Sequence, residues 1–342
     1  MSAHDTAYAI THSIRAPLIH LSLLRRASLL IALGVFTSAC SSIMPSVPKA
    51  QVLPIHDMPS VALVLGGGGA KGFAHVGVIK ALEENGITPT LVVGTSVGSL
   101  VGSLYASGYT PAQLERLALT TPDNELTDVT LSNQGFIEGI KLKNFINTHV
   151  GGRPIEAFPI SFAAVAAEKH SLKKVVFTTG NAGLAVQASC SVPNIFIAPR
   201  IPETVGKKYI DGGVVSLVPV DSARELGADI VIAVDVTDAT TPKNNKLATL
   251  NSLSGFWGLL EPGLATSVSN DSTNNATNNN RSSHNERQRA DIIITPNVGH
   301  ISSLDTSQRH ALIHAGMQAT NAQIAAIKQL IAKKSKSKYA TF

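Results

Sequence analysis

The chain has 342 residues, 44% of them hydrophobic and 15% charged, and its formal net charge at pH 7 is +5. This length is sufficient for at least one domain with a buried core. Many small residues with few charges are typical of packed α/β layers rather than of a charged helical bundle. No basic face carries interleaved aromatic side chains, which argues against nucleic acid as a partner. The His, Cys, Asp and Glu residues lack ligand spacing, so we expect no metal and no cofactor.

The first 39 residues have the pattern of a secretory signal peptide. Arg25 and Arg26 precede a short apolar run, residues 29–36, and small residues follow as far as Ala39. The run is too short to cross a bilayer comfortably as a helix. We therefore expect residues 1–39 to be a targeting segment.

Cys40 follows directly, and this junction resembles the processing site of bacterial lipoproteins. The resemblance implies that Cys40 becomes the first mature residue, carries acyl chains and anchors the protein in the bacterial cell envelope. The resemblance also implies that Ser41, the residue after the cysteine, favours anchoring in the outer membrane, facing the periplasm, over anchoring in the inner membrane. Thr37 departs from the pattern, because Leu is usual there, and an ordinary cleaved signal or an uncleaved anchor is the alternative. Residues 40–59 are rich in Ser and Pro and predict a tether.

Residues 61–108 predict two strands that alternate with two helices. The apolar runs of 61–65 and 91–93 are typical of buried parallel strands. We expect helices over 71–84 and from residue 97 onwards, where apolar residues recur at helical spacing. Such a βαβα unit implies a parallel sheet with right-handed crossovers.

The rest of the chain adds strands and helices to this unit. We predict an α/β fold of three layers, in which a mainly parallel central sheet is flanked by helices, as one domain of residues 60–332. A basic tail, residues 333–342, follows it. The further strands are expected at 160–167, 175–178, 230–236 and 292–294, and the further helices at 182–189, 219–227 and 307–332.

Residues 266–288 interrupt the pattern with an Asn- and Ser-rich stretch that has almost no apolar content. Such a stretch buries too little apolar surface to offset its ordering entropy, so we expect a mobile loop inside the domain. Just before it, residues 253–260 form an apolar cluster, which is either core packing or a flap near the site.

The first candidate motif is the glycine-rich run from Gly66 to Gly72, between a predicted strand and a predicted helix. Amide groups at the start of a helix attract negative charge. A P-loop requires Gly before the Lys and Ser or Thr after it, and Ala70 and Gly72 stand there. A dinucleotide site requires an acidic residue after the second strand, and this chain has Ser96 in that region. The third interpretation is an oxyanion hole.

The second motif, Gly94 to Gly98, has the pattern G-x-S-x-G with Ser96 at its centre. Its place between a predicted strand and a predicted helix is typical of a nucleophile elbow, in which a sharp turn exposes the serine hydroxyl. A glycine-rich turn with an incidental serine is the alternative.

The third motif is Asp211-Gly212-Gly213, which follows Lys208-Tyr209-Ile210. A carboxylate on a tight turn at a strand end can reach the loop of a neighbouring strand. By itself the pattern is weak, because Asp-Gly is an ordinary turn signal.

Together the three motifs resemble those of the patatin-like phospholipase family. That family has a G-G-G-x-[KR]-G loop, a G-x-S-x-G serine and a D-G-[GA] aspartate in this chain order. Residues 188–193 and 229–235 also resemble blocks of the family, and the resemblance covers residues 60–332. The matching positions are Gly67 to Gly72, Gly94 to Gly98 and Asp211 to Gly213.

The resemblance implies a serine acyl-hydrolase that cleaves lipid ester bonds as a phospholipase A, lysophospholipase or esterase. It implies a dyad of Ser96 as nucleophile and Asp211 as proton acceptor. Alternatives are a triad in the chain order Ser, acid, His with His300 as its third member, a lipid acyltransferase that uses the same dyad, and a catalytically silent lipid-binding protein. The implied oxyanion hole is formed by the amides of Gly67, Gly68 and Gly69, and the amide of Val97 is an additional candidate. The implied supporting residues are Lys71, Gly72, Gly94, Gly98, Gly212 and Gly213.

Overall fold

The computed structural model describes residues 58–132, 134–237 and 285–339. Several sequence predictions lie outside this part of the chain. These are the signal peptide of 1–39, Cys40, the tether as far as residue 57, the apolar cluster of 253–260, and residues 266–284 of the Asn- and Ser-rich loop.

The described residues form eight α-helices and eight β-strands, which take their numbers from their order in the chain. The α-helices are α1 (Phe73–Glu84), α2 (Val97–Ala106), α3 (Pro111–Thr120), α4 (Ile140–His149), α5 (Ala182–Ser189), α6 (Val220–Glu225), α7 (Arg309–Asn321) and α8 (Ile324–Tyr339). The strands are β1 (Val61–Leu65), β2 (Leu91–Thr95), β3 (Ser161–Glu168), β4 (Lys174–Phe177), β5 (Arg200–Ile201), β6 (Lys207–Asp211), β7 (Ile230–Val234) and β8 (Ile292–Ile294).

The strands form one mixed sheet whose centre is parallel. β3, β2, β1, β7 and β8 are hydrogen-bonded neighbours in that order, and all four of these pairings are parallel. β4 and β6 pair antiparallel with β3, and β5 pairs antiparallel with β6. The predicted α/β fold with a mainly parallel central sheet is therefore confirmed.

Alternate residues of the central strands point to opposite faces of the sheet, as the pleat requires. On one face Leu63, Leu65 and Val92 belong to a large core that includes side chains of α1, α2 and α7. On the other face Ala62 and Val64 belong to a smaller core with side chains of α6. Both faces are covered, which explains why the strands read as continuous apolar runs.

The structure corrects two predictions of the sequence. The single helix expected over 307–332 is two helices, because α7 ends at Asn321 and α8 begins at Ile324. The predicted mobile loop does not extend to residue 288, since residues 285–287 form a helical turn and Glu286 is buried. No helix in the described part of the chain is long and apolar enough to cross a membrane.

Candidate active site

Ser96 lies on a sharp turn between the end of β2 and the start of α2. Its backbone has φ 54° and ψ −128°, a conformation that costs a non-glycine residue of the order of 1–3 kcal/mol and occurs mainly at functional sites. The flanking glycines make the turn possible by close approach. A Cβ on Gly94 would lie 2.4 Å from the Gly98 carbonyl oxygen, and a Cβ on Gly98 would lie 2.1 Å from that of Leu65. The geometry is that of a nucleophile elbow.

Ser189, at the end of α5, holds this turn in place. The Ser96 amide donates to Ser189 Oγ at 2.9 Å, and Ser189 Oγ donates to the carbonyl of Val165 at 2.6 Å. The elbow is thereby tied to β3. Ser189 was not among the predicted site residues, although it lies in the 188–193 segment whose resemblance to the family could have indicated it.

The register of the sheet brings Asp211 beside the elbow. On β3, Val165 pairs with Thr95 of β2, and the next residue, Ala166, pairs with Asp211 of β6. Because β4 occupies the opposite edge of β3 at both positions, β2 and β6 must lie end to end on the same edge. The residue after Thr95 is Ser96, so nucleophile and carboxylate meet where the two strands end.

The Asp211 carboxyl is buried, and its two oxygens differ in their surroundings. Oδ1 accepts a hydrogen bond from the Gly213 amide at 2.7 Å, whereas Oδ2 has no partner at hydrogen-bonding geometry among the described residues. Burial raises the pKa of Asp211 to about 6, and the nearby Ser96 hydroxyl and the Gly213 amide oppose the rise by favouring the ionised carboxylate. A Cβ on Gly212 would lie 2.2 Å from the Val165 carbonyl oxygen, so the turn after Asp211 requires glycine.

The glycine loop follows β1 and faces Ser96. The Gly67 amide donates to the carbonyl of Leu217 at 3.0 Å, so this N–H is already paired and the prediction that it binds an oxyanion is wrong. The amides of Gly68, Gly69 and Val97 donate to no backbone carbonyl among the described residues, and all three residues line the same cavity as Ser96. The donors without a backbone partner among the described residues are therefore two of the three predicted glycine amides, Gly68 and Gly69, and the amide of Val97, which was the additional candidate.

Lys71 belongs to the glycine loop but does not line the cavity. Its side chain is buried, and burial lowers its pKa while the Asp235 carboxylate opposes this effect. Asp235 itself is buried, forms an ion pair with Arg287, and accepts hydrogen bonds from the Thr237 amide at 2.8 Å and hydroxyl at 2.6 Å. Beside them, Gly72 leaves room for Val97, whose side chain would lie 2.3 Å from a Cβ at Gly72.

No histidine among the described residues lines the cavity. His75 is buried in α1, where Nε2 lies 2.8 Å from the Gly66 carbonyl oxygen. Burial lowers the pKa of His75 to about 4, so the ring is neutral near pH 7 and donates this proton to the glycine loop. His300, the third member of the alternative triad, is exposed and lies outside the cavity lining, which removes support for that order.

A cavity of about 350 Å³ opens in front of the serine. Ser96 and Asp211 lie at its polar end, and its walls are mostly apolar. Volumes and linings of this kind are typical of small-molecule sites. The apolar wall residues come mainly from α1 to α4 and from the segment before β5, and they include Phe73, Leu100, Leu104, Leu114, Leu142, Phe145 and Val192.

The parallel sheet, the serine elbow and the glycine loop define the class of lipid acyl hydrolases with an α/β core. Residues 63–224 match the family model described as patatin-like phospholipase. This match spans less than half of the chain and contains all three sequence motifs, and over these residues the chain is similar to that family.

Two curated proteins and one solved structure resemble the chain. It is 36% identical over 209 residues to lysophospholipase NTE1 of Coccidioides immitis, which covers 59% of this chain and 13% of that protein. It is 35% identical over 200 residues to the uncharacterized NTE family protein Rv1063c of Mycobacterium tuberculosis, covering 56% of this chain and 53% of that protein. The match thus spans about half or less of these relatives. VipD of Legionella pneumophila superposes with a TM-score of 0.54 at 15% identity over 79% of this chain and 67% of that chain, a likeness of fold.

Proposed function

We propose that this protein hydrolyses carboxylic ester bonds of lipids, as a phospholipase A, lysophospholipase or esterase. One observation carries the proposal: a serine on a strained elbow adjoins a buried carboxylate at the polar end of an apolar cavity. A lipid ester has two parts that match this site: an ester carbonyl for the serine to attack and an apolar acyl chain for the cavity to hold. The name lysophospholipase borne by the C. immitis relative is consistent with this substrate class.

Ser96 and Asp211 act as a dyad in this mechanism. The Ser96 hydroxyl attacks the ester carbonyl carbon while Asp211 accepts its proton. The tetrahedral intermediate collapses, the alcohol leaves with the proton returned by Asp211, and an acyl-enzyme remains. Water then attacks the acyl-enzyme and gives a proton to Asp211, and Asp211 returns that proton to Ser96 Oγ as the bond between the serine and the fatty acid breaks.

The surroundings of Asp211 suit a general base. An ordinary Asp has a pKa of about 3.9 and accepts a proton poorly at neutral pH, whereas burial raises the pKa of Asp211 to about 6. A base is most effective when its pKa lies near the working pH. Oδ2, which has no partner among the described residues, is the acceptor position open to the serine proton.

The oxyanion of the intermediate is stabilised by backbone amides. Those of Gly68, Gly69 and Val97 are unpaired with backbone carbonyls and face the cavity. Losing one donor of this kind typically costs about 2.7–4 kcal/mol of transition-state stabilisation. Gly69 has φ 57°, and a Cβ there would lie 2.4 Å from the Ser303 carbonyl oxygen. Both the positive φ and this close contact therefore disfavour any other residue at this position.

We further propose that Cys40 carries an acyl anchor that keeps the domain at the bacterial outer membrane, facing the periplasm. The support is the sequence around Cys40: an apolar run, small residues and a Ser- and Pro-rich stretch after it. Cys40→Ala is expected to prevent incorporation of labelled palmitate and release the protein from the envelope fraction. Unchanged labelling would contradict the anchor without affecting the proposed chemistry.

The dyad is tested with a short-chain p-nitrophenyl ester, which needs no lipid surface. The full chain is compared with Ser96→Ala and Asp211→Asn, both of which are expected to lose at least about a thousandfold in kcat/KM. Ser222→Ala is the matched control, because Ser222 is a buried serine on α6, outside the cavity lining. Full activity of Ser96→Ala would overturn the proposal.

A further inference from the structure

Residues 128–138 form a hairpin that exposes large apolar side chains, and we name it the apolar hairpin. Val129 and Ile137 make an antiparallel bridge, and the Thr130 amide donates to the Phe136 carbonyl at 2.8 Å. In this hairpin Val129 is 83%, Leu131 99% and Phe136 63% exposed. Exposed apolar side chains clustered on one loop of a soluble domain mark interaction sites rather than ordinary surface.

The apolar hairpin has no charged residue of its own between its two ends, but lysines of other elements lie beside it. Residues 129–137 contain no Asp, Glu, Lys or Arg. Lys208, in β6, contacts the turn of the hairpin, where its Nζ donates to Gln134 Oε1 at 2.8 Å, and Lys141, in α4, donates from Nζ to the Asn124 carbonyl at 2.8 Å just before the hairpin. Exposed apolar side chains with lysines beside them match a lipid layer, whose acyl region is uncharged and whose head groups carry phosphate.

The acidic residues around the apolar hairpin are consistent with this direction of approach. The Asp128 carboxylate accepts hydrogen bonds from the amides of Gly139 at 2.7 Å and Ile140 at 2.9 Å, at the start of α4. Although Asp128 is only partly buried, its carboxylate is therefore paired with the first turn of α4. Glu138 is exposed at the end of the uncharged run, so it marks the depth to which the tip can enter an apolar layer.

The apolar hairpin adjoins the mouth of the catalytic cavity. Ile137, within the hairpin, and Thr127, directly before it, line the cavity and are partly exposed. Leu304 lines the cavity from another loop and is 72% exposed. The two loops are joined because Thr306 Oγ1 donates to Asp123 Oδ2 at 2.5 Å. The cavity thus opens between two loops that both expose apolar side chains.

We propose that the apolar hairpin docks this protein on a phospholipid layer. Leu131 and Phe136 enter the layer, and a substrate acyl chain passes along Ile137 and Leu304 into the cavity without crossing bulk water. The proposal rests on the proposed lipid hydrolase activity, since that activity supplies the reason for a cavity to open at a membrane.

Vesicle binding is the test, and it is made in the full chain with Ser96→Ala and Cys40→Ala in every sample. Ser96→Ala prevents hydrolysis and Cys40→Ala prevents an acyl anchor, so flotation with phosphatidylcholine vesicles measures docking alone. Leu131→Ser/Phe136→Ser is compared with Met58→Ser/Leu226→Ser. Met58 and Leu226 are also exposed apolar residues, but they precede β1 and β7 and so lie at the amino ends of the parallel strands, opposite the cavity.

The hairpin variant is expected to lose about tenfold or more in vesicle affinity, because two large apolar side chains no longer enter the layer, while the control variant keeps it. With Ser96 restored, both variants should hydrolyse a soluble p-nitrophenyl ester at the unaltered rate. If the hairpin variant loses that rate, vesicle flotation is repeated with Leu131→Ser alone in place of the double variant. Absence of ester hydrolysis in every sample would count against the proposed function and leave the docking result standing.

Equal vesicle affinity of the two double variants would overturn the docking proposal. So would a dimer in sedimentation velocity that only the hairpin variant abolishes, with vesicle affinity unaffected, because the apolar hairpin would then bind a second copy of the chain.

Discussion

The Ser96 amide is held by the Ser189 hydroxyl at 2.9 Å, and the same hydroxyl donates to β3 at Val165. Ser189→Ala removes both bonds and leaves a buried amide and a buried carbonyl without this partner, at a cost of about 1–3 kcal/mol each. We expect kcat on a soluble ester to fall about 10- to 100-fold with KM changed little, because the nucleophile loses its position and the cavity keeps its shape.

The matched control for that variant is Ser191→Ala. Ser191 is equally buried, and its hydroxyl donates to the Gln187 carbonyl at 2.6 Å, away from the elbow. Both variants should lose stability in urea denaturation, but only Ser189→Ala should lose kcat. An equal loss of kcat in the two would show that Ser189 acts only through the stability of α5.

The pH dependence of kcat/KM should follow the ionisation of Asp211. Only the ionised carboxylate accepts the Ser96 proton, and burial raises the pKa of Asp211 to about 6. We therefore expect kcat/KM to rise about tenfold per pH unit below pH 6 and to level off above it. The measurement is the hydrolysis of a soluble ester from pH 4.5 to 8.5. A profile that is flat across pH 6 would show that Asp211 is not the base.

Asp211→Asn should produce an inactive protein that is more stable at pH 8. Because the pKa of Asp211 is higher in the folded state than the ordinary value of about 3.9, the folded protein binds the proton more tightly, and its free energy of unfolding falls as pH rises from about 4 to about 6. Asn avoids the buried charge and keeps an acceptor for the Gly213 amide. Urea denaturation at pH 8 should show a gain of up to about 3 kcal/mol.

The same comparison at pH 4 is the control for that prediction. There Asp211 is mostly protonated in the folded state, so the difference between the two proteins should nearly vanish. A wild-type protein more stable than Asp211→Asn at pH 8 would contradict the burial argument.

The central part of the fold could be predicted because its residues are patterned by local rules. The runs of 61–65 and 292–294 are apolar, and each is a strand with the predicted bounds. The helix over 182–189 also has the predicted bounds. The break between α7 and α8 could not be predicted, because residues 322–323 contain neither Gly nor Pro and the apolar spacing continues through them.

The site was predictable in its residue types and less so in its contacts. The positions of Ser96 and Asp211 follow from short motifs, since glycines at fixed offsets report close backbone approaches that the structure contains. Their proximity depends on the register of β2 and β6 on β3, which pairs residues far apart in the chain and leaves no local trace. For the same reason the hydrogen bond from the Gly67 amide to the Leu217 carbonyl could not be predicted from the glycine run.

Breaking the ion pair of Asp235 and Arg287 should strongly destabilise the protein, because their side chains are only 2% and 15% exposed. Asp235 is buried, and its carboxylate also favours the charged form of Lys71. Asp235→Asn would leave both cations without this carboxylate in a site of low polarity. Removing one member of a buried pair typically costs about 3–5 kcal/mol, and we expect a loss of that size in urea denaturation at pH 7.

Asp221→Asn provides the contrast for this last prediction. Asp221 also pairs with an arginine, Arg289, but their side chains are 36% and 50% exposed. Solvent screens such a pair, so its loss should cost about 1 kcal/mol or less. If the two variants lost equal stability, the charges around Asp235 would have to be solvated in solution.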